Sequence, residues 1–297
     1  MSRAWVSQPE RSNPFTLKLI CWIALHTGRA FARFWLYPIT LYFYLTSPTV
    51  RRASRDYLSR VLSRPPGAWQ VARHIFRFSA TVLDRVYFLT DQFERFSIRI
   101  ENQALLNAYQ AEGQGVLLLG AHFGSFEVLR SLALDRYHVP LKILMYRQHN
   151  QMITRILEAL NPAVPESVID LGKDNALLQV HECLQRGEFV GVLADRVMDG
   201  TRVVQCPFLG QPATFPAGPM EMALMMNVPI ILFYGIYEGG NRYTIRFEKL
   251  SDGRHVADRR QRRAVAADLM CDYVAALERQ VRAHPYNWFN FYDFWAE

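Results

Sequence analysis

Cysteine is scarce in this chain of 297 residues, with four in all. Cys21, Cys183, Cys206 and Cys271 lie far apart, with no C-x-x-C pair and no Cys/His cluster at metal-ligand spacing. That pattern speaks against a zinc site and a disulfide framework, and it points to a reducing, cytoplasm-facing environment. Internal repeats and low-complexity tracts are missing, and so is any recognisable nucleic-acid-binding module. No apolar run reaches the about 20 residues that a spanning helix needs.

What is present is a large apolar inventory with a basic excess. Half of the residues are hydrophobic, enough for a sizeable core in one large α/β domain or two modest ones. Lys and Arg number 34 against 27 Asp and Glu, a formal net charge of +7 in which arginine dominates. Such a balance favours phosphate-bearing or acidic partners, namely anionic lipid head groups or an acidic carrier protein. Nucleic acid is the weaker choice without a binding module.

The N-terminal 50 residues are apolar and aromatic in two runs, Leu19 to Ala24 and Phe34 to Leu45, with Arg29 and Arg33 between them. Those two arginines share one helical face at i, i+4. With Trp22, Trp35, Tyr37, Tyr42 and Tyr44, the segment reads as a helical element lying in a membrane interface. A buried helical hairpin and a single span are the alternatives. Pro38 is expected to break or kink it. Residues 51–297 read as one α/β domain.

Residues 51–110 read mostly helical, with Trp69 to Leu89 carrying apolar residues at helical spacing and an Asp84-Arg85 pair on its charged side. From Val116 onward strands alternate with helices. The pattern predicts strands at 116–121, 141–146, 167–171, 188–194, 229–236 and 242–248, and helices at 124–136, 150–160, 173–186, 216–227 and 257–283. This is a mixed central sheet flanked by helices. In such sheets ligands bind beyond the carboxyl ends of the strands, where His122, Arg147 and Asp195-Arg196 all fall. Arg259, Arg260, Arg262 and Arg263 load the start of the last helix against its dipole and invite an anionic partner, or form a solvated charge run.

The hexapeptide His122-Phe123-Gly124-Ser125-Phe126-Glu127 follows the apolar run Val116-Leu117-Leu118-Leu119. A histidine released at a strand end titrates near neutral pH, and a carboxylate can fix its tautomer. Gly124 allows close approach of backbone or substrate. Ser125 fits an N-cap; it lacks the G-x-S-x-G surroundings of a nucleophile.

The H-x4-E spacing resembles the signature of glycerolipid acyltransferases. Met145-Tyr146-Arg147 with Asn150, then Leu193-Ala194-Asp195-Arg196, then Pro207-Phe208-Leu209-Gly210 and Phe215-Pro216-Ala217-Gly218-Pro219 follow in an order similar to the bacterial lipid A late acyltransferase family, the lauroyl/myristoyl transferases of the lysophospholipid acyltransferase superfamily. The resemblance covers roughly Val116 to Pro229.

It implies transfer of a fatty or related acyl group from an acyl carrier protein or coenzyme A thioester to a lipid hydroxyl, without metal or organic cofactor, at the cytoplasmic face of a bacterial inner membrane. His122 would be the general base and Glu127 its orienting acid. Arg147 would bind a phosphate or stabilise the tetrahedral intermediate, supported by Asn150. Arg196 would contact substrate with Asp195 positioning it. Phe208, Gly210, Phe215, Pro216 and Gly218 would shape a loop over the acyl chain, and the methionines Met220 to Met226 an acyl tunnel or a core helix. Val197-Met198 and the aromatic C-terminus, which carries Asp293 where basic residues are expected, depart from the familiar pattern and leave the acceptor open: a phospholipid, an ornithine lipid or an aryl polyene lipid remains an alternative to lipid A. A non-catalytic lipid-binding protein is the alternative of another class.

Overall fold

The computed structural model describes residues 14–129, 140–146, 160–161, 167–198, 200–253 and 256–295. Four helices come first: α1 (Pro14–Thr27), α2 (Arg29–Thr46), α3 (Pro48–Val61) and α4 (Ala68–Leu89). Then follow β1 (Ser97–Glu101), α5 (Gln103–Ala111), β2 (Val116–Gly120), β3 (Leu141–Met145), β4 (Val168–Asp170), α6 (Ala176–Gln185) and β5 (Phe189–Leu193). A hairpin of β6 (Val203–Phe208) and β7 (Gln211–Pro216) precedes α7 (Gly218–Met226), β8 (Ile230–Gly239), β9 (Arg242–Ser251) and the long α8 (Arg259–Ala283).

Seven strands form one sheet in the order β1-β9-β8-β2-β5-β3-β4. All neighbours are parallel except β8 and β9, which pair antiparallel. The central strand β2, Val-Leu-Leu-Leu-Gly, is buried at every position, as a strand covered on both faces must be. Its side chains alternate between two cores. Leu117 and Leu119 join residues of α3, α6, α7 and α8, whereas Val116 and Leu118 join those of α1, α2, α4 and α5. The predicted mixed α/β architecture is therefore present, and six strands lie where the periodicity puts them. Strands β1, β6 and β7 are additions to that expectation. Each is short and carries charged or proline residues, which mask the apolar alternation.

The N-terminal helices differ from expectation in one respect: α2 continues through Pro38, and the break falls at Gly28, whose φ of 86° suits glycine. Arg29 and Arg33 do share a face, and it turns inward. Arg29 makes a two-pronged contact with the buried Asp84 on α4, at 2.7 Å through Nε and Nη2, while Tyr243 donates to the same carboxylate at 2.8 Å. Arg33 donates to the Tyr237 hydroxyl. Asp84 and Arg85, neighbours in sequence, thus look to different partners. Among the described residues no helix is long and apolar enough to cross a membrane.

The cysteines also differ from the reading above. Cys206 on β6 and Cys271 on α8 are joined by a disulfide, their Cα atoms 5.3 Å apart. A separation of 65 residues in sequence hides a pair that only the packing of α8 on the hairpin brings together. Cys21 and Cys183 are free thiols.

Candidate active site

The sheet register creates the site. Gly120 of β2 pairs with Leu193 of β5, so the residues two places beyond each strand, His122 and Asp195, meet at the carboxyl edge. The two strand ends are tied together as Ala194 donates its N–H to the Gly120 carbonyl at 2.9 Å. The same carbonyl accepts from the Tyr273 hydroxyl of α8 at 2.8 Å. Gly120 has no room for a side chain, since a Cβ would lie 2.4 Å from the ring of Phe233.

His122 Nδ1 lies 2.8 Å from Asp195 Oδ1. A carboxylate only accepts hydrogen bonds, so the imidazole carries its hydrogen on Nδ1 and leaves Nε2 as the basic lone pair. Asp195 is fully buried, and its second oxygen is surrounded. Oδ2 accepts from the His122 backbone N–H at 3.0 Å, from Trp288 Nε1 at 3.0 Å and from Asn290 Nδ2 at 2.9 Å. Burial alone would raise this carboxyl; His122, Arg196 and Asn290 more than reverse it and hold it well below the usual carboxylate range. For His122 burial lowers basicity and the Arg196 charge lowers it further, against the pull of Asp195, so the imidazole sits below its ordinary value and is neutral at physiological pH. Its side chain stays 29% exposed. A neutral imidazole, one face on a buried carboxylate and the other open, is equipped to take a proton from a bound hydroxyl and return it.

Several expected residues occupy other places than the motif spacing suggests. Glu127, the acid of H-x4-E, faces Arg85 of α4, with Oε1 2.8 Å from Nε. The reason is local: the chain turns after Ser125 into a short 3-10 helix, Glu127–Leu129, which packs beside α4. Asp195, expected to position substrate, holds the imidazole instead. Arg196 is turned toward the C-terminal segment, donating to Asn290 Oδ1 at 2.8 Å and to the Phe289 carbonyl at 3.1 Å.

Gly124 does serve a close approach, of backbone rather than ligand. Its φ is 63°, and a Cβ there would stand 1.9 Å from the Gly235 carbonyl oxygen. Ser125 is buried; its hydroxyl points to Glu127 Oε2 at 3.5 Å and its N–H to the Gly235 carbonyl. Phe208 and Phe215 lie inside an aromatic cluster with Trp288 and Phe294, so they build core where an acyl-covering loop was expected. The Leu209-Gly210 turn that joins their strands has positive φ at both residues, the geometry of a tight hairpin. Gly218 opens α7, whose Met220 and Met222 are buried core. Arg147 and Asn150 lie outside the described residues.

The C-terminal segment was not recognisable as site-forming from its sequence. Its aromatic density signalled burial, but the two asparagines carry the polar information. Asn287 accepts from the Tyr237 N–H and donates to the Tyr237 carbonyl, an edge-on clamp to β8. Its carbonyl receives the Gly124 N–H at 2.7 Å, and Phe289 donates to the His122 carbonyl at 2.7 Å. The segment therefore straps the histidine loop down while supplying two of the donors to Asp195. Behind it, His74 of α4 holds the Trp288 carbonyl at 2.8 Å and Ser54 at 2.9 Å.

Residues 71–296 match the family model described as bacterial lipid A biosynthesis acyltransferase. The chain belongs to that family. It is accordingly an acyltransferase of the lipid A acyltransferase type. The match begins within α4 and encloses His122, Asp195 and the C-terminal strap, so every group of the dyad described above lies inside the family's own region. No curated protein matches the chain. The histidine–aspartate contact at the strand ends lies within the region that the family model matches.

Proposed function

We propose that this acyltransferase moves a fatty or related acyl group from an acyl carrier protein or coenzyme A thioester directly to the hydroxyl of an amphipathic lipid. The observation that carries this reading is the His122–Asp195 contact, 2.8 Å long and buried on its carboxylate side. His122 Nε2 removes the proton of the acceptor hydroxyl as its oxygen attacks the thioester carbonyl. Asp195 stabilises the imidazolium that forms. The tetrahedral intermediate then collapses, the C–S bond breaks, and the imidazolium returns its proton to the leaving thiolate. Arg147, supported by Asn150, keeps its proposed role of binding a phosphate or the negative charge of the intermediate. No metal or organic cofactor enters these steps.

The proposed site of action is the cytoplasmic face of a bacterial inner membrane, with residues 1–50 as the associating element and 51–297 as the catalytic domain. An apolar face on α2 supports membrane association: Phe31, Phe34, Trp35, Tyr37, Leu41, Tyr42 and Leu45 are all exposed, while Ala32, Leu36 and Thr40 on the other side are buried. A contiguous surface of this kind on a helix that does not span is suited to the headgroup–acyl boundary.

The test incubates purified protein with labelled acyl carrier protein or coenzyme A thioesters and total bacterial lipid extract, comparing wild type with His122→Ala. Label in one lipid class with wild type alone supports the reading and identifies the acceptor. Lipid binding without transfer from either donor refutes it in favour of a binding protein.

A further inference from the structure

Glu127 is the acidic residue of the motif, yet its partner is Arg85. The two side chains differ in setting: Glu127 is 13% exposed and Arg85 31%. Arg85 arises from α4, on the face next to the short helix that bears Glu127. Its Nε is buried and, among the described residues, makes no aligned hydrogen bond, although Glu127 Oε1 is within 2.8 Å. A guanidinium offers five donors in a rigid fork, and one carboxylate at an oblique angle leaves most of that capacity unused. The charge is close enough to His122 to lower the basicity of the imidazole. Arg85 is thus a half-buried cation at the margin of the dyad, steadied by one carboxylate and reachable from solvent.

We propose that Arg85 is a substrate-phosphate contact of this acyltransferase and that Glu127 is a positioning residue acting through Arg85 rather than through His122. The assignment rests on the acyl-transfer reading, in which the donor carries a phosphopantetheine phosphate and an anionic acceptor lipid carries its own. Guanidinium and phosphate match in two-pronged geometry, and the buried end of the side chain makes the contact stronger than a surface pair. Glu127 neutralises Arg85 in the empty site and fixes its orientation. His122 has no need of Glu127, because Asp195 already fills Nδ1.

Equilibrium binding tests this without requiring turnover. The probes are 1-acylglycerol 3-phosphate and 1-acylglycerol in detergent for the acceptor side, and 4′-phosphopantetheine and pantetheine for the donor side. Within one of these pairs wild type should prefer the phosphorylated member by about 10- to 100-fold, the size of one charged hydrogen-bonded contact. Arg85→Ala should abolish that preference, Arg85→Lys retain part of it, and Glu127→Gln weaken it. The double variant Arg85→Ala/Glu127→Gln should match Arg85→Ala alone. The pair that responds tells whether the phosphate is the acceptor's or the donor's.

A preference surviving in a folded Arg85→Ala protein overturns the proposal, as does an equal affinity of wild type for both members of each pair. In turnover assays, adding Glu127→Gln to the Arg85→Ala protein should leave the acid limb of the rate profile where Arg85→Ala alone puts it; a further displacement in that background would return Glu127 to the imidazole and overturn its positioning role. Failure of the acyl-transfer reading shows separately, as absence of His122-dependent transfer with phosphate-dependent binding intact.

Discussion

Replacing Asp195 by asparagine removes one charge while nearly conserving volume, and the surroundings of the carboxylate dictate how the amide must sit. Three donors converge on Oδ2, from the His122 backbone, Trp288 and Asn290, and one contact is made by Oδ1. An amide NH2 placed at Oδ2 would confront three hydrogens, so the carbonyl takes that position and the NH2 faces His122 Nδ1. That imposes the opposite tautomer, with Nδ1 as acceptor and the hydrogen on Nε2, where the base should be. The imidazolium also loses its counter-charge. A wrong tautomer next to a lost carboxylate lowers kcat by about 10³- to 10⁴-fold in enzymes built on the same logic, about 4–6 kcal/mol of transition-state stabilisation. The fold should survive, because each Oδ2 donor keeps an acceptor. Single-turnover acyl transfer measures the rate, and nitrogen chemical shifts of the imidazole report the tautomer. The reasoning fails if Asp195→Asn acts within about tenfold of wild type, or if its histidine still carries the hydrogen on Nδ1.

His122→Ala should remove catalysis by at least about 10²-fold, the usual contribution of a positioned base, with lipid binding unchanged in a flotation assay. The acid limb of kcat/KM should have its midpoint below 6.5, because burial and Arg196 keep His122 neutral, with activity rising as pH rises through that midpoint. His74 is buried and its basicity falls from the ordinary 6.5 to about 4, burial being the cause. The unfolded chain therefore binds a proton that the folded chain refuses. Stability is full above 6.5 and drops by about 3 kcal/mol as pH falls to about 4. Urea midpoints across that range should show the drop, and His74→Gln should flatten it. Gly124→Ala puts a Cβ 1.9 Å from the Gly235 carbonyl at a positive φ and should cost more than about 2 kcal/mol, read as a lowered Tm with loss of activity. Thiol labelling of oxidised protein under denaturation should find Cys21 and Cys183 alone. The same labelling on intact cells reports whether the surroundings keep Cys206 and Cys271 joined.

The sequence by itself carried the sheet and the place of the proposed site. The uninterrupted apolar run of β2 admits only a strand covered on both faces, and its end releases a histidine at the edge where α/β sheets bind ligands. The order of the blocks around His122, Asp195 and Phe215 carried the family. Those features are local, written in neighbouring residues and their period.

The partners were not local. Nothing in H-x4-E tells that its glutamate turns to Arg85, 42 positions earlier by number, nor that the imidazole takes Asp195, 73 residues on and just beyond the end of β5. That choice belongs to the parallel register of β2 and β5, which sets their ends side by side. Likewise Trp288 and Asn290 read as part of an aromatic tail until the strap along β8 brings their N–H groups onto a buried carboxylate. A buried charge must be met by donors wherever the chain can supply them, and it is the packing of distant segments, decided by the whole core, that determines which residues those are.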